Sequence, residues 1–245
     1  MTVKQYLLDK ISEGTLHMAL LDPDKQPPEV AGEIARRMKE AGTDAVMIGG
    51  STGVTSENLG KTAKAIKEYS GLPTIYFPGG PDAMSAEVDS IFFMSLMNSS
   101  DLKWVMGAQV YAAPYIKKLG IEAIPMGYIV VEPGMKVGEV GNANLIKRDE
   151  IDKAVAYALA CEMYGMSFAY LEAGSGADRP VPTEMISAVK KAISIPLIVG
   201  GGIRTPEAAE AARKAGADVI VTGTFIEQCS DDSKLKAVVA ASKGL

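Results

Sequence analysis

Eight short apolar runs recur along this chain, at residues 17–22, 44–49, 73–77, 90–96, 122–131, 167–172, 196–200 and 218–222. They are rich in Val, Ile, Leu, Met and Phe and carry little polar alternation. A strand wetted on one face alternates apolar and polar residues; a strand covered on both faces, as in a parallel sheet, does not. Amphipathic stretches at 28–41, 55–69, 108–119, 148–164, 183–193, 206–215 and 231–242 separate the runs, and several stop at a glycine, among them Gly42, Gly71, Gly120 and Gly165. Glycine adopts the left-handed conformation that closes a helix. Strand-then-helix order predicts a parallel sheet. Eight such units without a linker predict closure into a (β/α)8 TIM barrel, with an open doubly wound sheet as the alternative. A length of 245 residues suits one barrel, which usually takes ~250, so a single domain over 1–245 is expected.

Two places break the pattern. The segment 79–89, between the third and fourth runs, begins GGPDAMS and is short for a helix. A shortened or replaced third helix there would open the flank of the barrel. The segment 132–144, EPGMKVGEVGNAN, is long and glycine-containing and follows the fifth run. A long connection after a barrel strand is usually a lid or a binding loop.

Charge and residue usage narrow the function. The net charge is −5 and no basic run is present, which argues against nucleic acid, whose binding rests on Lys and Arg contacts to phosphates. No segment approaches the ~20 apolar residues of a membrane span. The N-terminal MTVKQYLLDKISEG is amphipathic and charged, without the apolar core of a secretory signal. Cys161 and Cys229 have no CxxC spacing and read as buried thiols in a reducing cytoplasm. The one histidine, His17, rules against His pairs, His-rich metal sites and Ser-His-Asp triads. It stands at the start of the first strand, on the face of a barrel that serves stability.

The chemistry gathers at strand ends. Tyr170, Leu171, Glu172, Ala173, Gly174, Ser175 and Gly176 end the sixth run, Gly200, Gly201, Gly202, Ile203, Arg204 and Thr205 the seventh, and Thr222, Gly223 and Thr224 the eighth. Barrels often hold a phosphate between the loops after strands seven and eight, at the N-terminus of a short helix. Glu172 is a carboxylate at a barrel mouth, where partial burial would raise its pKa and make it a better general base. Tyr170 shares its face by period-two alternation and either donates to a substrate oxygen or packs the barrel. Asp22 ends the first strand and suits Mg²⁺, which takes one or two carboxylates plus substrate phosphates. Asp24 serves either the metal or a turn or cap before Pro27, Pro28 and the helix that follows, and Ser51 either the metal or a turn or helix start. A metal site on strands one and two, facing a phosphate clamp on strands six to eight with Glu172 between, calls for two phosphorylated substrates or one with two phosphate groups.

At these residues the chain resembles the geranylgeranylglyceryl phosphate synthases. The likeness is carried by LLDPDK, GGSTGVTSENL, YFPGG, FFMSLMNSS, GAQVYAAPYIKKLG, GYIVVEPG, YLEAGSGADRPVP, IPLIVGGGIR and GADVIVTGT, over about residues 17–227. The resemblance implies an Mg²⁺-dependent prenyltransferase. It would move a geranylgeranyl group from its diphosphate to the C3 hydroxyl of sn-glycerol 1-phosphate, the first ether-bond step of archaeal membrane lipids. Asp22 and Ser51 would bind Mg²⁺ and the prenyl diphosphate. Tyr170, Leu171, Glu172, Ala173, Gly174, Ser175, Gly176, Gly201, Gly202, Gly223 and Thr224 would hold glycerol 1-phosphate, and Glu172 would accept the hydroxyl proton. Related heptaprenylglyceryl phosphate synthases typically carry Lys two positions before the metal Asp, where this chain has Leu20; that favours the archaeal type. A sugar-phosphate isomerase barrel and a non-catalytic phosphate-binding protein are the competing readings.

Two further expectations concern surfaces. Trp104, the one tryptophan, follows the fourth run beside the suspected gap. It either limits the length of a prenyl chain leaving through that gap or packs the start of the next helix. The stretch 154–163, AVAYALACEM, is more apolar than one helix face needs, which marks an interface, and the resemblance implies dimers or hexamers. A lipid product also allows transient contact with a membrane from the cytoplasm.

Overall fold

The computed structural model describes residues 1–50 and 53–245. Eight strands close into a barrel in chain order, each pairing in parallel with its neighbours. They are β1 (Leu16–Leu21), β2 (Ala45–Gly49), β3 (Thr74–Phe77), β4 (Ser90–Leu96), β5 (Glu122–Val130), β6 (Phe168–Glu172), β7 (Leu197–Gly200) and β8 (Val219–Thr222). The expected strands are all present, with no end shifted by more than one residue. Period-two alternation sorts their side chains into two layers. Met18, Met47, Ile75, Phe92, Tyr128 and Tyr170 fill the barrel, while Ala19, Ile48, Leu171 and Val199 pack outward under the helices.

The helices are α1 (Val3–Glu13), α2 (Pro28–Ala41), α3 (Ser56–Ser70), α4 (Ala108–Leu119), α5 (Met135–Val140), α6 (Ile151–Met163), α7 (Thr183–Ala192), α8 (Pro206–Lys214), α9 (Thr224–Gln228) and α10 (Asp232–Lys243). Gly42, Gly71 and Gly120 close α2, α3 and α4 in the left-handed conformation. The amphipathic N-terminus forms α1, which seals the bottom of the barrel. Its Leu7 is fully buried and belongs to the cluster of side chains that fills the barrel interior. The Glu122 carboxylate, at the start of β5, caps α1 by accepting from the Val3 and Lys4 amides at 2.6 and 3.1 Å.

No helix joins β3 to β4. The connection is an irregular segment anchored by Asp89, whose Oδ2 accepts from the Thr74 amide and hydroxyl, each at 2.8 Å. The flank of the barrel is open there, as the short GGPDAMS segment predicts. After β4 the chain makes a π-helical turn, Lys103–Gly107, that runs directly into α4. The connection after β5 is not a plain loop: α5 forms within it, started by Gly134 at φ 72°.

His17 has the structural role expected of it. Its ring lies fully buried between the Thr43 hydroxyl (2.9 Å) and the Thr222 hydroxyl (2.8 Å). Burial, with help from the Lys243 charge, pushes its pKa down to about 3, so the ring is neutral. Cys161 is buried, and its thiol is pushed up to about 12 by desolvation. Cys229 departs from expectation: it is only half-buried, because it lies in the surface turn between α9 and α10.

Candidate active site

Glu172 is the last residue of β6, and alternation places it inside the mouth with Tyr170. Its Oε1 accepts from the Gly174 amide at 2.6 Å. Burial pushes its pKa up, and hydrogen bonding from Gly174, Tyr170 and Tyr128 pulls it partly back. Burial also holds the Tyr128 and Tyr170 phenols well above their ordinary range, so both remain protonated donors. Tyr128 on β5 pairs directly with Tyr170 on β6, and the rings meet edge to face at 5.0 Å. Sequence reading missed Tyr128; its signal was a phenol at an inward position of β5, two residues before the strand end.

The glycines after β7 have a steric role that their sequence does not announce. A Cβ on Gly200 would lie 2.2 Å from the Tyr170 hydroxyl oxygen, and one on Gly201 2.3 Å from Glu172 Oε1. A Cβ on Gly202 would meet the backbone at Ala177, Arg179 and Pro180 at 3.0 Å. These residues let β7 and its loop press against β6 and the carboxylate.

Beside Glu172 lies a small glycine-rich pocket walled in part by Ser175, Gly176, Gly201, Gly202, Gly223 and Thr224. The Ser175 and Thr224 hydroxyls are 2.9 Å apart across it. α9 begins at Thr224 with no side-chain cap, so the positive end of the helix faces the pocket. Arg204 also lines it and donates to the Gly176 carbonyl. It belongs to the GGGIR motif, yet sequence reading did not assign it to the site. Leu171 and Ala173 do not join the others. Alternation turns both side chains outward into the buried layer beneath the helices. The Ala173 amide donates to Gly200 (3.1 Å) and its carbonyl accepts from Gly134 (2.9 Å), so these two residues only place their neighbours.

A larger cleft, with an empty volume of about 1190 Å³, begins at the same carboxylate. It passes Asp22, Phe77 and Tyr128, runs out over the flank where no helix joins β3 to β4, and reaches Ala112 and Ile116 of α4. Val137 and Val140 of α5 and Trp104 of the π-helical turn wall its sides. Glu172, Ser175 and Leu20 line both cavities, which puts the carboxylate at their junction.

At the lip of the cleft, Asp22 is largely buried. Desolvation pushes its pKa up, and the Lys25 ammonium at 2.5 Å pulls it back. Asp24 does not cap α2, whose start at Pro27 has no side-chain cap. A Cβ on Gly50 would lie 3.5 Å from both the Asp22 carboxyl carbon and Asp24 Oδ1, so the two acids converge at the end of β2. Ser51, the expected hydroxyl donor, lies outside the described residues. Among the described residues no group of three or more His, Cys, Asp or Glu is placed to hold a metal. Two carboxylates, with an ammonium already resting on one of them, still fit Mg²⁺, which completes its shell from substrate phosphates and water. One geometric expectation is corrected. β1 and β8 are neighbours in the closed barrel, so the Asp22 lip and the phosphate pocket lie side by side rather than across the mouth. The Asp22 amide donates directly to Glu227 of α9 at 3.2 Å.

Residues 9–242 match the PcrB family. A geranylgeranylglyceryl phosphate synthase of Thermococcus kodakarensis is 53% identical over 96% of this chain and 93% of its own length. Among solved structures, (S)-3-O-geranylgeranylglyceryl phosphate synthase from Thermoplasma acidophilum, in complex with its substrate sn-glycerol-1-phosphate, superposes with a TM-score of 0.97 at 45% identity, covering all of both chains. The wild-type enzyme from Thermoplasma volcanium superposes with a TM-score of 0.95 at 44% identity, over all of this chain and 99% of the other.

Proposed function

The chain belongs to the PcrB family, and from that membership we propose that it transfers a geranylgeranyl group from geranylgeranyl diphosphate to the C3 hydroxyl of sn-glycerol 1-phosphate. The observation that carries this reading is the position of Glu172, where a small glycine-rich pocket with Arg204, Ser175 and Thr224 in its wall meets a long apolar cleft. One cavity suits a phosphate on a three-carbon stem; the other suits an extended hydrocarbon. The junction is where the two substrates must react.

The glycerol phosphate binds with its phosphate among Gly176, Gly201, Gly202, Gly223 and Thr224. Backbone amides, the start of α9 and Arg204 supply positive character. This leaves the C3 hydroxyl pointing at Glu172. Desolvation makes that carboxylate a stronger base than one in water. Tyr170 and Tyr128 donate to it and fix its orientation. As the C3 oxygen bonds to the allylic C1, the C1–oxygen bond to diphosphate breaks, and the hydroxyl proton passes to Glu172. The apolar walls keep water away from the electron-poor allylic carbon. Asp22 and Asp24, with Ser51, would hold Mg²⁺, which neutralises the leaving diphosphate when bound. The C20 chain lies in the cleft and leaves by the open flank, past Trp104.

The protein acts as a homo-oligomer in this reading, a dimer or a hexamer. Met163 and Tyr164 at the end of α6 are strongly exposed, as are Met106, Val110, Tyr111 and Tyr115 along α4 and the turn before it. The reaction takes place in the cytoplasm, with the lipid product passing to a membrane. No helix among the described residues is long and apolar enough to cross one. Incubation with geranylgeranyl diphosphate and either glycerol phosphate enantiomer tests the function. An ether-linked product from sn-glycerol 1-phosphate is expected, and the absence of any prenylated product from either enantiomer would refute the reading.

A further inference from the structure

Lys25 reaches two carboxylates at once. Its ammonium lies 2.5 Å from Asp22 Oδ2 and 2.8 Å from Glu227 Oε2. Glu227 also accepts from the Asp22 amide through its other oxygen, and the Gln26 side chain donates to the Asp22 carbonyl at 2.8 Å. The lip of the large cleft is thus tied, through one lysine, to the short helix that frames the phosphate pocket.

This placement conflicts with a divalent cation on Asp22. A metal ion that takes the Asp22 carboxylate comes close to the ammonium, and like charges at that distance repel. Lys25 sits on a flexible four-carbon stem and is close to half-exposed, so it can leave Asp22 while keeping Glu227. The only large negative charge that arrives at this lip in the proposed reaction is a diphosphate. An ammonium binds phosphate oxygens well as a point charge. A lysine used only as a strap between β1 and α9 would need no carboxylate from the cleft.

We propose that Lys25 is a diphosphate-binding residue that neutralises Asp22 in this structure and moves to the diphosphate when a metal ion takes Asp22. Binding of metal and of diphosphate then become mutually supporting: each removes a charge conflict left by the other. This rests on the reading of the cleft as the prenyl diphosphate site.

Two titrations on the intact protein test it. Mn²⁺, followed by electron paramagnetic resonance of the free ion, reports the metal alone. Inorganic pyrophosphate in excess Mg²⁺, followed by calorimetry, reports the diphosphate. Lys25→Met should bind Mn²⁺ about threefold more tightly, since a surface-type ion pair no longer competes. It should bind Mg²⁺–pyrophosphate about 10- to 100-fold more weakly, for loss of a charge-assisted contact. Glu227→Gln breaks the strap but keeps the lysine, and should bind Mg²⁺–pyrophosphate within about threefold of wild type. Unchanged or weaker Mn²⁺ binding by Lys25→Met, or undiminished pyrophosphate binding, overturns the role of Lys25. So does a Glu227→Gln variant that binds Mg²⁺–pyrophosphate about 10-fold or more weakly than wild type, an outcome that also settles the matter if Lys25→Met does not fold. Wild-type protein that fails to bind Mg²⁺–pyrophosphate would remove the reading of the cleft itself.

Discussion

Gly201 and Glu172 are fitted to each other: a Cβ on Gly201 would stand 2.3 Å from Glu172 Oε1, and the glycine holds φ 84°. The second glycine of the GGGIR motif therefore makes room for the carboxylate as well as for a phosphate. Gly223, on the far wall of the pocket, differs. A Cβ there would meet Leu20 at 3.5 Å, an ordinary contact.

This contrast separates two alanine variants. Gly201→Ala must displace the Glu172 carboxylate and adopt a backbone conformation that alanine resists. It is expected to lower kcat about 100-fold or more, as displacement of a general base does. Gly223→Ala places its methyl in the phosphate pocket and leaves Glu172 in position, so it should chiefly raise KM for glycerol 1-phosphate. Steady-state kinetics with that substrate varied distinguish them. Equal kcat losses in both variants would contradict the steric assignment.

Burial sets the pH range in which Glu172 works, and Tyr128 adjusts it. The base acts as a carboxylate, so activity should fall as pH drops through its raised pKa. The Tyr128 hydrogen bond favours the charged form and pulls that pKa down. Tyr128→Phe removes the donor but keeps the ring that packs edge to face on Tyr170. The acid limb of kcat/KM should therefore move to higher pH in Tyr128→Phe. A limb at the wild-type position would mean that Tyr128 packs the barrel without tuning the base.

Trp104 is half-buried, and the turn that carries it is held in place. Gln109 donates to its carbonyl at 3.1 Å, Ser95 donates to Val105 at 2.7 Å, and Lys103 lies 4.5 Å over its ring. The ring therefore presents a fixed wall to the cleft, and forcing a longer chain past a packed wall costs ~1–3 kcal/mol. Trp104→Ala should accept donors longer than C20 and keep C20 activity. Mass spectrometry of products from C20 and C35 diphosphates decides it. An unchanged donor cutoff in a folded variant reduces Trp104 to a packing residue.

The exposed apolar side chains of α4 and α6 should be covered in solution. Light scattering at micromolar concentration is expected to give the mass of a dimer or a hexamer. A monomeric mass would contradict the assembly proposed for this chain.

Much of this was legible in the sequence because local rules suffice. Two-sided apolar runs mark buried parallel strands, and the short GGPDAMS segment leaves no room for a helix. Period-two alternation places Glu172 and Tyr170 on one face. By the same rule Leu171 and Ala173 should have been set aside, since a residue between two inward-facing side chains faces outward. The amphipathic N-terminus gave no sign that it would seal the barrel floor, because the Glu122 carboxylate that caps α1 lies 119 residues beyond Val3. The Lys25–Glu227 contact was beyond local reading for a similar reason. Its partners are 202 residues apart and meet only because closure sets β1 against β8. Tyr128 was within reach of the same alternation rule, as an inward phenol near the end of β5, but its pairing with Tyr170 needed the register of β5 against β6.

In the proposed reaction Glu172 takes the proton from the attacking hydroxyl, and Glu172→Gln keeps the shape of that side chain while removing its basicity. Single-turnover rates with saturating geranylgeranyl diphosphate, together with calorimetric binding of sn-glycerol 1-phosphate, give the answer. The expected rate is lowered ~10²–10⁴-fold, the usual cost of losing a general base, with glycerol phosphate still bound. A variant that turns over within roughly threefold of wild type, far short of that loss, would remove Glu172 from the proton transfer.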